Sequence, residues 1–452
     1  MHDDPSVFAA GGEVGSLDRR RSDLRILLHG LNYAPEELGI GKYSGEMTTW
    51  LANRGHSIRV VTTPPYYPQW RIDAPYGGFR YVKERLSANN ETQAEASAGQ
   101  SIDIIRCPLW VPRKVTGLKR ILHLASFGLS SIPVVFWQAL IFRPDVILTV
   151  EPAAMCMPTT WLAARVSGAT CWLHVQDFEV DAAFELGILR QPFLQKLVLA
   201  MEGFLMRRFD RVSSISPNMM RKAAQKGVDE TRLVAFPNWV DCDFVYPIPD
   251  DATEGAEGLR ERRRSFGLPA EKTIALYAGN IGKKQGLEIV LDAARRVPRV
   301  QFVICGAGAD VESLKAEGSA IANVLWLSPQ PNERFNDLLN CADMHLLPQR
   351  AGAADLVMPS KLTGMMASGR PVVACADPGT QIADVVLGRG LVVPAGDVEA
   401  FASSIARLSD SQPERREMGR AARRYAVKHL GLDSILSRFE SDLQRLVGLT
   451  TG

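Results

Sequence analysis

The sequence has little net charge and few cysteines for its length. Its 452 residues include 52 Lys and Arg against 50 Asp and Glu, so the formal net charge is only +2. Proteins that bind nucleic acids usually carry a clear basic excess, and the near balance argues against a nucleic-acid partner. The seven cysteines form no C-x-x-C pair, and several lie inside apolar runs. This pattern favours buried free thiols in a reducing compartment over disulfides.

Signals for a metal or a bound cofactor are also missing. The seven histidines show no metal-ligand spacing, and there is no Walker A lysine motif. The DCD motif at 241–243 has a spacing that can bind metals, but it falls at a domain junction and not after a clear core strand. GAG at 306–308 follows a strand, yet Val311 stands where the dinucleotide fingerprint needs its third glycine. We therefore expect no metal and no cofactor.

Residues 1–22 contain no apolar run of the length that a secretion signal needs, and they are mostly polar or small. We expect a disordered tail there. A chain of this length should fold as two or three domains. Its apolar fraction of 46% is enough to form sizeable cores.

Short apolar runs alternate with helical patterns along the rest of the chain, which is typical of parallel sheets with crossover helices. The composition changes where FPNWVD at 236–241 is followed by a charged stretch, and we place a domain boundary there. The predicted domains are 23–240 and 241–430, followed by a C-terminal helix within 431–452. The predicted strands are 25–29, 58–61, 146–150, 171–175, 211–214, 274–278, 301–305, 324–327, 344–347 and 371–375. The predicted helices are 43–53, 118–142, 192–208, 287–297, 334–340, 360–367 and 398–408, with a polar surface loop at 88–101.

The predicted fold is α/β, with two doubly wound, Rossmann-like domains facing each other across a cleft. Such domains bind ligands at the carboxyl ends of their strands. The first turn of the first domain, PEELGIGKY at 35–43, contains Gly39 and Gly41 and opens a helix. Glycines allow a ligand to approach the backbone, and free N–H groups at a helix start favour an anion. A tight turn without a ligand would fit the same residues.

The second domain repeats this device after its first strand, in GNIGKKQG at 279–286. Three glycines, two lysines and a helix N-terminus suit a diphosphate, although two solvated loop lysines are the alternative. Another helix start, MPSKL at 358–362, leaves the N–H groups of Ser360 and Lys361 beside a hydroxyl and an amine. This loop is a second possible phosphate site in the same domain.

One uncharged stretch, at 121–142, is long enough to span a membrane. Pro133 near its centre, the serines that interrupt it and the immediate return to a core strand argue against spanning. The basic residues just before it suit anionic lipid headgroups. We expect an apolar helix that lies partly against lipid, with full burial inside the domain as the alternative.

Several blocks of this sequence recur in one known family. The blocks include LNYAPE at 31–36, GIGKY at 39–43, PPYYPQW at 64–70, HVQD at 174–177, FPNW at 236–239, GNIG at 279–282, KQGLE at 284–288 and PSKLT at 359–363. Through them the chain resembles the family-4 glycosyltransferases of the GT-B fold, and most closely the WcaI-like colanic acid biosynthesis subgroup. The resemblance covers roughly residues 24–445.

The resemblance implies a retaining, metal-independent transfer of a sugar from a nucleotide-diphosphate donor to a lipid-linked saccharide during exopolysaccharide assembly. In the subgroup the donor is generally GDP-fucose. The family binds the donor mainly in the second domain and the acceptor mainly in the first, and its last helix usually crosses back onto the first domain. A lipid-linked acceptor also implies a cytoplasmic protein at the inner face of the bacterial cytoplasmic membrane.

Under this interpretation, Asp177 and Lys284 are the predicted catalytic groups. Asp177 follows a predicted strand and would orient or deprotonate the acceptor hydroxyl, with a structural role as the alternative. Lys284 would stabilise the leaving diphosphate. His174 is placed on the acceptor side with Asp177, although a packed strand residue is the alternative. The predicted donor-binding residues are Gly39, Gly41, Asn280, Gly282, Lys284, Gln285, Ser360 and Lys361.

The sequence departs from the family at two points. Many relatives carry two glutamates in the donor domain, and Leu356 and Gly364 occupy those positions here. Gln285 stands where many relatives have a lysine, which leaves Lys284 as the phosphate partner. Two alternatives stay open, and the missing glutamates support the second of them. One is another GT-B activity such as a sugar-nucleotide 2-epimerase, and the other is a non-catalytic scaffold in a polysaccharide assembly complex.

Overall fold

Two sheets organise the chain. The computed structural model describes residues 23–36, 39–72, 74–87, 101–113, 116–152, 154–178, 192–249, 253–350 and 360–448. The tail predicted at 1–22 and all but the last residue of the loop predicted at 88–101 lie outside these residues. The seven cysteines are free thiols, and six of them are buried, as the sequence predicts.

The first sheet contains eight strands. They are β1 (Arg25–Gly30), β2 (Ser57–Thr62), β3 (Val82–Ser87), β4 (Ser101–Arg106), β5 (Val146–Glu151), β6 (Thr170–Val175), β7 (Arg211–Ser214) and β8 (Leu233–Ala235). Their order across the sheet is β3-β4-β2-β1-β5-β6-β7-β8, and only β3 runs antiparallel to its neighbour. The antiparallel strand was missed in the sequence because it lies at the edge, where its side chains alternate between half-buried and exposed positions.

Successive strand residues point to opposite faces of this sheet, and helices cover both faces. Leu28 packs on the face covered by α1 (Gly39–Asn53), whereas Leu27 packs on the other face. That other face is covered by α2 (Gly117–Phe142), α3 (Met157–Ser167), α4 (Pro192–Met206) and α5 (Pro217–Gln225). Helix α1 begins four residues before the predicted start, since the glycines that the sequence pattern assigns to a loop form its first turn.

The second sheet contains six parallel strands. They are β9 (Ile274–Ala278), β10 (Gln301–Cys305), β11 (Val324–Leu327), β12 (Met344–Leu347), β13 (Val372–Cys375) and β14 (Gly390–Val393), in the order β11-β10-β9-β12-β13-β14. The helices around them are α6 (Thr253–Ser265), α7 (Glu288–Arg296), α8 (Val311–Gly318), α9 (Asn332–Cys341), α10 (Ser360–Ala367), α11 (Gln381–Val386), α12 (Val398–Asp410) and α13 (Gln412–Tyr425). This strand order is that of a doubly wound nucleotide-binding domain, so the predicted fold class is confirmed.

The chain passes between the two sheets twice, and the two passages pair with each other. The N–H of Val240 donates to Leu430 (2.9 Å), and the N–H of Leu432 donates back to Val240 (2.9 Å). The last helix, α14 (Leu432–Leu446), then packs on the first sheet beside α1. Its Glu440 accepts hydrogen bonds from Arg54 and His56, which fixes the end of the chain to the first half.

Candidate active site

The strand order of each sheet reverses once, and the predicted site residues lie near both reversals. In the first sheet the reversal falls between β1 and β5, and in the second between β9 and β12. Chains leave such a point in opposite directions, which opens a crevice at the carboxyl ends of the strands. The turn with Gly39 and Gly41 follows β1, the 279–286 turn follows β9, and Ser360 and Lys361 come after β12.

Lys361 lies directly beside the turn that follows β9. Its Nζ donates to the Tyr277 hydroxyl (3.0 Å) and lies 4.5 Å from the centre of that ring. A Cβ added at Gly279 would lie 3.4 Å from the Lys361 side chain. Burial lowers the pKa of Lys361 to about 8. An anion bound beside this amine would raise its pKa again, because a negative charge favours the protonated form.

Tyr277 was not identified from the sequence, because it lies inside an apolar strand. Its hydroxyl accepts from Lys361 and donates to the Asn280 carbonyl. Burial raises the pKa of this phenol, so it stays protonated and can keep both hydrogen bonds. Tyr277 therefore joins the lysine from α10 to the backbone of the 279–286 turn.

The 279–286 turn is supported from behind by the GAG motif at 306–308. A Cβ at Gly306 would lie 1.9 Å from the Gly279 carbonyl oxygen, and one at Gly308 would lie 1.9 Å from that of Ile281. Only glycine allows this approach. The GAG motif, which lacks the third glycine of the dinucleotide fingerprint, thus has a packing function here.

Three of the predicted donor-binding residues in this turn lie close together. A Cβ at Gly282 would come within 3.4 Å of the side-chain amides of both Asn280 and Gln285. The Gln285 Oε1 is buried and has no hydrogen-bond partner among the described residues, so a ligand hydroxyl or N–H group could satisfy it. The Lys284 backbone lies in the short 3-10 turn between them. Its side chain lies outside what the structure describes, and its predicted role stays a prediction.

Ser360 connects the two halves of the site. The Tyr43 hydroxyl, from α1, lies near the Ser360 side chain at the start of α10, and this neighbour lowers the Tyr43 pKa against the larger raising effect of burial. Tyr43 is buried and packs edge-on against Trp239 with 5.1 Å between ring centres. The structure thus brings the glycine turn of the first sheet against the Ser360–Lys361 helix start of the second.

The turn after β1 differs from its counterpart because a carboxyl group lies against it. A Cβ at Gly41 would lie 2.6 Å from the Cβ of Glu36, so the glycine makes room for this side chain. The Glu36 carboxyl is already satisfied: it accepts from the N–H groups of Tyr66 and Tyr67 (3.0 Å each) and from Asn32 (2.8 Å). Burial raises the Glu36 pKa, although these hydrogen bonds oppose the shift.

Gly39 occupies the open end of the same turn. It has a φ of 58°, and an added Cβ would meet nothing within 4 Å. Among the described residues, no atom therefore fills the space that a side chain at this position would take. The predicted contact of Gly39 and Gly41 with the donor stays a prediction.

Asp177 and His174 lie near the end of β6 in very different surroundings. Asp177 follows the strand and is exposed. His174 is 3% exposed, contacts Ser213 (3.0 Å) and packs on Phe236 with 4.8 Å between ring centres. Burial lowers the pKa of His174 to about 3, so the ring is neutral at physiological pH. His174 is therefore packed in the core, as the alternative interpretation has it, and its predicted place on the acceptor side stays a prediction.

The DCD motif forms a local turn. The Asp241 carboxylate accepts from the N–H groups of Asp243 (2.8 Å) and Phe244 (3.1 Å). Within the described residues, no group of three or more His, Cys, Asp or Glu side chains is arranged to hold a metal. Gly364, at one of the positions where relatives carry a glutamate, is buried in α10, while Leu356 lies outside the described residues.

Two families match the chain, one in each half. Residues 39–239 match the family described as "Glycosyl transferase 4-like domain", and residues 260–425 match "Glycosyl transferases group 1". The chain is 37% identical over 432 residues to the putative colanic acid biosynthesis glycosyl transferase WcaI of Escherichia coli K12, covering 93% of this chain and all of the relative. It is 26% identical to the probable glycosyltransferase WbjE of Pseudomonas aeruginosa, over 64% of this chain and 73% of that one.

Solved structures share the fold at low sequence identity. A sucrose-phosphate synthase from Thermosynechococcus elongatus superimposes with a TM-score of 0.68 at 17% identity, over 94% of this chain and all of that one. HepE of Anabaena in complex with UDP gives a TM-score of 0.64 at 13% identity, over 93% and 100%. WaaG, a glycosyltransferase involved in lipopolysaccharide biosynthesis, gives 0.58 at 16% identity, over 92% and 99%.

Proposed function

The chain belongs to the glycosyltransferases of the GT-B fold, and we propose that it moves a sugar from a nucleotide-diphosphate donor to a lipid-linked saccharide in the assembly of a colanic-acid-type exopolysaccharide. The observation that carries this proposal is the half-buried Lys361 ammonium beside the 279–286 turn, at the strand-order reversal of the second sheet. The full-length similarity to the colanic acid transferase supports the pathway. GDP-fucose as donor and retention at the anomeric carbon are proposed on the family resemblance.

In this mechanism the sugar departs from the diphosphate before the acceptor bond is complete, and the protein stabilises the negative charge that develops on the leaving group. Lys361 supplies a cation, while Ser360 and the N–H groups at the start of α10 supply hydrogen-bond donors. Lys284 is proposed as a further cation. These groups serve the diphosphate without a metal ion, and we propose that none is required.

Asp177 is proposed as the group that orients or deprotonates the acceptor hydroxyl. It follows β6 at the carboxyl edge of the first sheet, the edge from which the turn with Gly41 also leaves. An exposed carboxylate at this edge can reach a ligand, whereas the neighbouring His174 is buried. The protein would work in the cytoplasm at the inner face of the bacterial membrane, where a lipid-linked acceptor is available.

The test is an assay of purified protein with labelled GDP-, UDP- and ADP-sugars, with and without lipid-linked saccharide, each in the presence and absence of excess EDTA. We expect one donor to give a glycosylated lipid, at a rate that EDTA does not change. Conversion of the donor sugar without any acceptor would show an epimerase instead. No product from any donor, with binding of the saccharide retained, would show a scaffold. Activity lost with EDTA and restored by Mg²⁺ or Mn²⁺ would overturn the metal-free mechanism.

A further inference from the structure

Three helices on one face of the first sheet carry an unusual share of exposed apolar side chains. Helices α2, α3 and α4 lie side by side over the same core and expose large hydrophobic residues along their outer surface. Examples are Leu129 (69% exposed), Trp137 (61%), Leu162 (45%), Phe193 (80%) and Met201 (56%). Across the rest of the described chain, no other α-helix has an exposed large hydrophobic residue. An apolar surface of this extent marks an interaction site.

The same three helices expose no carboxylate. Helices α2 and α3 contain no Asp or Glu, and the single acid of α4, Glu202, is 3% exposed and ion-paired with Lys226. Exposed basic residues stand among the apolar ones, including Lys119, Arg165 and Lys196. The whole chain carries 50 Asp and Glu residues, but these three helices expose none of them. The exposed Lys and Arg side chains therefore give this outer surface a local positive potential. Such a surface complements an anionic, apolar partner.

Helix α2 is the one described helix long and apolar enough to cross a membrane by length and composition. Its inner face is fixed to the sheet by polar contacts that a bilayer could not replace. Ser131 hydrogen-bonds to the fully buried His29 (3.0 Å), and Gln138 accepts from Arg59 (2.6 Å). The helix therefore has one face in the protein core and one face outside, which fits a helix lying on a membrane and excludes one crossing it.

The direction of the helices relates this surface to the site. Helix α2 connects the parallel strands β4 and β5, and α4 precedes β7, so both helices begin at the carboxyl edge of the sheet. Trp110 is 41% exposed and lies beside the first half of α2, where its backbone N–H donates to the Ser126 hydroxyl (3.0 Å). The apolar surface thus extends to the edge of the sheet from which Asp177 projects.

We propose that the outer surface of α2, α3 and α4 is a peripheral membrane-binding face that inserts into the headgroup region of an anionic bilayer. This rests on the proposed function, because a bilayer at the carboxyl edge would present a lipid-linked acceptor to the cleft while its lipid stays in the membrane. The face includes α3 and α4, which lie outside the uncharged stretch at 121–142. A tryptophan at its edge suits the depth of the headgroups.

The test measures binding of the full chain to vesicles of phosphatidylglycerol and phosphatidylcholine by flotation at low and high salt. We expect binding that requires phosphatidylglycerol and weakens with salt. Leu129→Glu and Phe193→Glu should each lower the partition coefficient by about tenfold or more, because each places a charge in the apolar layer. Leu387→Glu is the matched control, since Leu387 is 71% exposed but belongs to the second half of the chain; it should bind like the unchanged protein.

Folding and donor binding are checked separately. All three variants should keep the circular dichroism spectrum and the thermal shift with sugar nucleotides, so a loss of vesicle binding alone reports on the surface. If the unchanged protein does not bind phosphatidylglycerol vesicles, or if Leu387→Glu loses as much binding as Phe193→Glu, the proposal is wrong. Concentration-dependent self-association that Leu129→Glu abolishes, without vesicle binding, would instead assign the face to a second copy of this chain. Failure of the sugar-transfer assay with vesicle binding intact would contradict only the proposed function.

Discussion

The first turns of the two sheets share a glycine-rich backbone, but the side chains that pack on them carry groups of opposite charge type. Each follows a strand at the point where the strand order reverses, and each is rich in glycine. The turn after β1 is packed against the carboxyl group of Glu36, whereas the turn after β9 lies beside the ammonium group of Lys361. The glycine-rich backbone alone therefore does not decide the charge of the ligand that such a turn can bind. The side chain that packs on the turn decides it.

The Glu36 carboxyl also explains why the first turn differs from the second. Its hydrogen bonds hold the Tyr66–Tyr67 segment against the turn, so the group is used within its own half of the chain. Lys361 has a hydrogen bond to Tyr277 and a pKa lowered by burial, and under the proposed function its ammonium group binds the diphosphate. This difference supports the proposal that the second sheet binds the phosphate, while Glu36 has a structural role in the first. Four predictions test this difference.

The largest expected effect is on stability. Glu36→Ala should lower the free energy of unfolding by roughly 3 kcal/mol, because two backbone N–H groups and the Asn32 amide lose a buried acceptor. Urea denaturation followed by circular dichroism measures this loss. Glu36→Gln keeps an acceptor oxygen and should recover much of it, while Glu317→Ala, at an exposed glutamate of α8, should change the value by less than about 0.5 kcal/mol. A stable Glu36→Ala variant with impaired donor binding would reverse the assignment.

The next effect is on turnover. Lys361→Ala should lower the rate at subsaturating donor by about tenfold or more, equivalent to roughly 1.4 kcal/mol of lost stabilisation. Initial rates of sugar transfer measure the change. Lys272→Ala is the control, because Lys272 is exposed and stands just before the amino end of β9, away from the carboxyl edge. Equal rates for both variants would remove Lys361 from the donor site.

The lowered pKa of Lys361 predicts a pH dependence of donor affinity. The diphosphate requires the charged amine, and the free protein holds that proton only below a pH of about 8. Binding above this pH takes up a proton, so the dissociation constant should stay level below pH 8 and rise by about tenfold per unit above it. Calorimetric titration with the nucleotide product at pH 7, 8 and 9 measures this slope. Lys361→Ala should show a flat profile, and an unchanged slope in that variant would assign the proton to another group.

The smallest effect concerns the contact between the two turns. Tyr43→Phe removes the polar interaction with Ser360, and the loss of about 1 kcal/mol should raise the KM for the donor roughly fivefold. Tyr33→Phe is the matched control, because the Tyr33 hydroxyl bonds to Thr48 (2.7 Å) entirely within the first half. This control should lower the unfolding temperature but leave the KM for the donor unchanged. Equal KM values for both variants would mean that the contact between the turns does not support donor binding.

Much of the architecture could be predicted from the sequence. The bounds predicted at 274–278, 301–305, 324–327 and 344–347 agree residue for residue with β9 to β12. Strands β9, β10 and β12 are buried on both faces, and the half-buried edge strand β11 is apolar as well, so the sequence marks all four with continuous apolar runs between turn residues. Strand β3 has one exposed face and a charged pattern, and the same rule does not detect it.

The side chains that complete the site were harder to find. In the sequence, Tyr277 looks like any other strand residue, and Tyr43 looks like any other apolar residue of a helix. Their functions come from partners far along the chain: Lys361 lies 84 residues after Tyr277, and Ser360 belongs to the other sheet. A local pattern carries no information about such partners, because they are set by how the sheets and helices pack.

The sequence by itself determined the alternation of strands and helices, the two glycine turns and the position of each turn at a strand end, because these depend on residues close together in the chain. Only the tertiary structure decided which charge faces each turn and which polar groups are buried. It placed His174 in the core and left Asp177 exposed three residues later. Burial and hydrogen bonding depend on atoms from distant segments. Burial lowers the pKa of Lys361, and hydrogen bonds from Asn32, Tyr66 and Tyr67 satisfy the Glu36 carboxyl.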